Sequence, residues 1–207
     1  MKRFDIISEI EARTIERGET VVLARGGHIT PLAMDTLKER RVAVVHEGRH
    51  SELEASLVPG DIRSLAIGSD HTGVSLRKAL AAFLRGRGLT VSDLGTHGSE
   101  PVDYPDVAAA VARAVARHDA DAGIVIDGAG IGSAIAANKV PGVRAAMAMS
   151  ETIARYAREH NGVNVLTLGA TLLSVEEARA VVAAWLGAVM REPRYIRRLS
   201  KIRDLEP

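Results

Sequence analysis

Short apolar runs ending in Gly or Asp alternate along most of this chain with longer Ala-, Arg- and Glu-rich segments of helical period. Such alternation is how βαβ units read in sequence: strands covered on both faces are apolar throughout, and each parallel crossover needs a helix. The runs at 64–68, 90–94, 123–126, 144–149 and 164–168 predict strands. Helices are expected near 73–86, 105–117, 131–138, 151–159 and 175–190, with an Arg-rich helix from about Pro193. The pattern predicts a doubly wound α/β domain over 64–207 built on a mostly parallel, five-stranded sheet. Ligands in such sheets bind beyond the carboxyl ends of the strands, so the residues closing each run are where chemistry is sought.

Residues 1–46 read as a separate, small α/β extension. Phe4, Ile7, Ile10 and Ile15 form a rough amphipathic stripe, the segments 20–24 and 41–46 read as strands, and Thr30-Pro31 starts a helix between them. Residues 47–63, polar and punctuated by Pro59-Gly60, read as a linker.

Charge and composition remove several function classes. Lys and Arg number 27 against 26 Asp and Glu, and aromatics make up 3%, so neither the basic excess nor the stacking residues of a nucleic-acid binder are present. With no cysteine, disulfides and thiolate chemistry are excluded. No segment reads as a signal peptide or a membrane span, so no membrane partner and a cytoplasmic location are expected.

The most informative stretch is GIVIDGAGIGSAIAANK, 123–139, in which a strand runs into Asp127, then Gly128, Gly130 and Gly132, then a helix. Glycines at such a turn let backbone N–H groups converge on an anion at the positive end of the helix. The same residues also suit a plain tight turn with Asp127 capping the helix. Asp70-His71-Thr72-Gly73 closes the first strand of the domain, where a carboxylate and an imidazole can orient hydroxyls or hold phosphate; a simple helix cap is the alternative. Arg158-Glu159-His160-Asn161 reads either as a charged helix end or as a polar pair facing a cleft. Arg194 and Arg198, four apart, share one helix face and suit a phosphate clamp or a solvated basic tail. The turn at 103–106 has a loop reading.

Taken together, AIGSDHTG (66–73), VDYPD (102–106), GIVIDGAGIGSAIAANKVPGVRAA (123–146), AREHNGVNVLTLGA (157–170) and the terminal R-x-x-x-R resemble the ribose-5-phosphate isomerase B family, which includes the galactose-6-phosphate isomerase subunits. The resemblance spans 64–203. It implies a Rossmann-like three-layer α/β/α domain and a homodimer or dimer of dimers with active sites shared between subunits. It also implies metal-free, cofactor-free interconversion of an aldose phosphate and a ketose phosphate through a cis-enediol(ate), with ribose 5-phosphate as the first candidate. By position, Asp70 and His71 touch substrate with Tyr104 nearby, and His160 drives ring opening. Asn161 holds the enediolate, Arg194 and Arg198 reach phosphate in the neighbouring subunit's site, and Gly128, Gly130 and Gly132 offer N–H groups to the oxyanion.

Three departures from the family pattern stand out. Many members carry a Cys base at the position of Asp127 and others a Glu at that of Ser133; here the carboxylate of Asp127 is the expected base. Thr171 stands where many members have a phosphate-binding Arg, and Ala129 replaces a hydroxyl residue. These changes keep two alternatives open: a non-catalytic sugar-phosphate binder, and an isomerase for galactose 6-phosphate or a tetrose phosphate. Residues 1–63 lie outside the resemblance. Their GGHITPLAMDTLKERRVAVV run is similar to add-on segments of bacterial microcompartment enzymes, with an oligomerisation arm as the other reading.

Overall fold

The computed structural model describes residues 2–46, 57–58, 60–96, 98, 100–190 and 192–206. Contacts divide the chain into two compact units, Met1–Ser56 and Leu57–Pro207.

The first unit is a parallel sheet in the order β1-β2-β3, with β1 Arg3–Ile7, β2 Thr20–Ile29 and β3 Ala43–His46, crossed by α1 Glu9–Thr14 and α2 Pro31–Glu39. The expected stripe from Phe4 to Ile15 is therefore corrected to a strand followed by a helix. The cause is local: Ser8 and Glu11 form a capping box, the Glu11 carboxylate accepting the Ser8 N–H at 3.0 Å, which ends the strand and starts the helix. Ile7, Ile15, Val21, Leu23, Ala33 and Leu37 form this unit's core, while Ile10 faces solvent. The helix expected at Thr30-Pro31 forms there, the Thr30 hydroxyl accepting the Ala33 N–H.

Of the expected linker, residues 47–56 and 59 lie outside the described residues. Its last part belongs to the second unit: Leu57 packs with Met190, Tyr195 and Leu199, and the Gly60 carbonyl accepts a hydrogen bond from Arg158 at 2.9 Å.

The second unit holds five parallel strands in the order β5-β4-β6-β8-β7. They are β4 Ser64–Ser69, β5 Thr90–Asp93, β6 Ala122–Asp127, β7 Ala145–Met147 and β8 Val165–Gly169. The helices are α3 Val74–Gly86, α4 Tyr104–Ala116, α5 Ile131–Ala137, α6 Glu151–Asn161, α7 Val175–Gly187 and α8 Pro193–Arg203, and a 3-10 turn, His71–Gly73, precedes α3. Alternate strand residues supply two cores. Leu65, Ile67, Ile124, Ile126, Leu166 and Leu168 pack with Leu80, Leu84, Val182 and Trp185, while Ala66, Val125 and Val165 pack with Val111, Ala112 and Val115 on the other face. Each fully buried Leu, Ile or Val contributes roughly 1.5–3 kcal/mol, and both faces need one, so these strands read as unbroken apolar runs. The three-layer α/β/α fold expected from the sequence is the one present.

At the amino edge, Asp121 joins strands that are neighbours in space but 57 residues apart. Its Oδ2 accepts from Ser64 N–H at 2.7 Å, Ser64 Oγ at 2.9 Å and Arg63 N–H at 2.9 Å. Burial raises its pKa, but these hydrogen bonds and the Arg63 charge outweigh that and leave it lowered. At the carboxyl edge, the chain leaves β4 toward β5 on one side while β6 lies on the other, so the connections after β4 and β6 part and leave a crevice.

Candidate active site

Asp70 and Asp127 close the two strands flanking that crevice, and the Asp70 N–H donates to the Ile126 carbonyl at 3.1 Å, tying the strand ends together. Asp70 caps the 3-10 turn: its Oδ1 accepts from Thr72 N–H at 2.9 Å, Thr72 Oγ1 at 2.6 Å and Gly73 N–H at 3.2 Å. Its Oδ2 takes none of the described bonds. His71 is half-buried and its Nδ1 accepts the Val102 N–H at 3.4 Å, so a neutral imidazole carries its proton on Nε2.

Asp127 is 4% exposed and its carboxylate is engaged on both oxygens. Oδ1 accepts from the N–H groups of Ala129, at 2.8 Å, and Gly130; Oδ2 accepts from Ser133 N–H, at 3.0 Å, and Ser133 Oγ. Two carboxylate oxygens offer about four lone-pair sites, and four donors fill them. A base needs a lone pair facing its proton, whereas this carboxylate, expected to be the base, spends its lone pairs on the turn that follows it. The Gly130 N–H, expected to face an oxyanion, donates to Asp127 in this structure. The N–H groups of Gly128 and Gly132 carry no described bond.

The glycine turn is otherwise shaped for close approach. Gly130 sits at φ +77°, and a Cβ there would stand 2.9 Å from the Leu168 carbonyl carbon. A Cβ on Gly132 would stand 2.5 Å from the Tyr104 ring, which places Tyr104 over the turn. Space beside Gly128 is open, with Thr72 Oγ1 4.0 Å from where its Cβ would be. Thr171 turns its hydroxyl to the Gly128 carbonyl at 2.6 Å, so it braces the loop. Asp70, His71, Tyr104, Asp127, Gly128, Gly130 and Gly132 are thus brought together at one edge of the sheet.

The remaining expected residues gather elsewhere. His160 and Asn161 end α6, just before β8 begins at Val165, whereas Asp127 pairs with Gly169 at the far end of β8. Four strand intervals separate those ends, about 13 Å at ~3.3 Å per residue. The His160 ring lies between those of Tyr156 and Tyr195, with centroids 4.5 and 4.6 Å away. Arg194 stacks on Tyr195 and donates to its hydroxyl at 3.1 Å, and Arg198 is exposed one turn on. Asn161 donates to the Tyr156 carbonyl at 3.4 Å and borders an apolar groove of about 750 Å³ lined also by Ile153, Tyr156, Ile202 and Leu205. Nearby, burial and then the Arg144 charge hold the Arg158 guanidinium down at about 10. Among the described residues no three His, Asp or Glu converge as metal ligands, and no helix is long and apolar enough to cross a membrane.

Residues 65–202 match the ribose/galactose isomerase family. The chain belongs to that family. Among ribose/galactose isomerase relatives it is 41% identical over 145 residues to ribose-5-phosphate isomerase B of Escherichia coli, spanning 70% of this chain and 97% of the relative. It is 39% identical over 127 residues to D-erythrulose-4-phosphate isomerase of Pectobacterium atrosepticum, spanning 60% of this chain and 83% of the relative. Of solved structures, the Clostridium thermocellum ribose-5-phosphate isomerase B has a TM-score of 0.68 at 47% identity, covering 69% of this chain and 97% of that one. The Mycoplasma genitalium enzyme with bound ribulose-5-phosphate has a TM-score of 0.67 at 40% identity, covering 69% and 95%. Family membership makes the chain an enzyme of the isomerase class. The family match begins at residue 65 and leaves the N-terminal unit outside it.

Proposed function

We propose that this chain interconverts an aldose phosphate and its ketose, with ribose 5-phosphate and ribulose 5-phosphate as the first pair, at a site completed by a second copy of itself. The observation that carries this reading is the crevice between β4 and β6, where Asp70, His71, Tyr104 and the 128–132 turn converge. Asp70 Oδ2, with no described partner, moves the proton between C1 and C2. Asp127 holds the turn in shape, and the amides of Gly128 and Gly132 face the enediolate oxygen. His160 opens the sugar ring, Asn161 holds the enediolate end, and Arg194 and Arg198 clasp the phosphate, all from the partner copy, because in one chain they stand at the opposite sheet edge. A cytoplasmic reaction fits this reading, since a charged phosphate ester made there does not leave across a bilayer unaided.

The test follows the substrate's C2 proton. D70N is expected to abolish its exchange with solvent while binding persists in calorimetry, and D127N to weaken turnover yet keep exchange. The reverse pattern returns the base role to Asp127. The same assay run on pentose, tetrose and hexose phosphates sets the substrate; tight binding with no turnover of any would instead make the protein a sugar-phosphate binder. A tetrose phosphate is the second reading, favoured by Thr171, whose hydroxyl braces the loop and brings no charge to a phosphate.

A further inference from the structure

Helix α3 buries Leu76, Leu80, Ala81 and Leu84, and on the same stripe it buries Arg77, which is 0% exposed. Arg77 Nε lies 3.2 Å from Asp93 Oδ1 at the end of β5, and that oxygen also accepts the Gly95 N–H at 3.1 Å. Nη1 occupies the space over Gly95: a Cβ there would stand 1.5 Å from it and 2.8 Å from Ser69 N. The adjoining chain is stitched to β4, Leu94 N–H donating to Ile67 O at 2.8 Å and Thr96 N–H to Ser69 O at 3.4 Å. Among the described residues, none of the three guanidinium nitrogens, nor the buried Ser69 hydroxyl, has a hydrogen-bond partner. A buried cation held by one carboxylate, with its donors unfilled, is costly where an apolar side chain would complete the stripe. Ser69, to which this chain is stitched, is followed directly by Asp70 and His71, and His71 Nδ1 accepts the Val102 N–H.

We propose that Arg77 is a positioning residue for the isomerisation. By clamping Asp93 and Gly95 to the carboxyl end of β4, it fixes the strand end from which Asp70 and His71 follow, and so holds His71 on the Val102 N–H in the Nε2–H tautomer, with that proton free for a substrate oxygen. The activity arm of this inference rests on the function proposed above; the spectroscopic arm does not.

Nitrogen-15 NMR of the His71 ring in the full chain, beside kcat and KM for ribose 5-phosphate, tests it. The unaltered chain should show one His71 tautomer, protonated at Nε2. R77M should show both tautomers and lose about tenfold or more of kcat/KM. R77K, which keeps a cation for Asp93, should recover part of each. D93N leaves Arg77 without its anchor and should reproduce the R77M spectrum even if R77M does not fold. Variants that melt lower but keep the single tautomer and kcat/KM would make Arg77 purely structural and overturn the inference. If the unaltered chain turns over no sugar phosphate, the proposed function fails while the His71 spectrum still decides the role of Arg77.

Discussion

Asp70 and Asp127 occupy equivalent places, each closing a buried strand at the same crevice, yet their hydrogen bonds divide them. Asp70 gathers three donors on one oxygen, whereas Asp127 spreads four over two. Ser133 contributes half of the Asp127 set, so S133A should remove the hydroxyl donor, leave Oδ2 with one amide, and lower stability by about 1–2 kcal/mol in urea unfolding. Unchanged stability would mean that the hydroxyl does not hold the carboxylate. At this scale the sequence was informative about residue types and less so about their partners. The capping reading of Asp127 was open from the pattern Asp, glycine turn, helix, but the commitment of every lone pair depends on where Ser133 falls, one turn into α5. Arg77 carries a legible signal: a charge among 76, 77, 80, 81 and 84, positions that share one buried helix face.

At the scale of elements, the parallel strands are held at their amino ends by side chains as well as by the ladder. Asp121 is the clearest case, because three donors from the start of β4 meet one of its oxygens. D121A should cost about 1 kcal/mol, a modest figure because the site is solvent-exposed. The pH dependence has a definite sign. Because the carboxyl's pKa is lowered on folding, its contribution is present above the ordinary aspartate value and is lost as pH falls through the lowered one. Acid titration of unfolding should therefore show less loss for D121A than for the unaltered chain below about pH 4. Element order and type in the family domain were legible because strands buried on both faces and helices with apolar stripes have distinct periods. The strand β1 was not, since FDII is short and runs straight into α1; the Ser8–Glu11 capping box was the signal that separates them.

At the scale of the whole molecule, strand polarity decides what a single chain can do. Asp70 and His71 stand beyond the carboxyl ends, and His160, Asn161, Arg194 and Arg198 near the amino ends, so a site using both sets draws on two copies. D70N mixed with the R194A/R198A double variant, each inactive alone, should recover about a quarter of the unaltered activity after subunit exchange, the value for random pairing across a two-fold dimer. No recovery would place every reacting group within one chain. The motif resemblance implied sites shared between subunits; that His160 and Asn161 stand with the two arginines, away from Asp70, follows from strand order and direction.

The groove of about 750 Å³ beside Asn161, lined by Ile153, Tyr156, Ile202 and Leu205, borders the set of residues that one copy would lend to another. If that surface closes only on pairing, turnover per chain will fall as the enzyme is diluted, and adding sugar phosphate will restore it by drawing monomers back together. Catalysis would then be a collective property, set by abundance as well as by sequence.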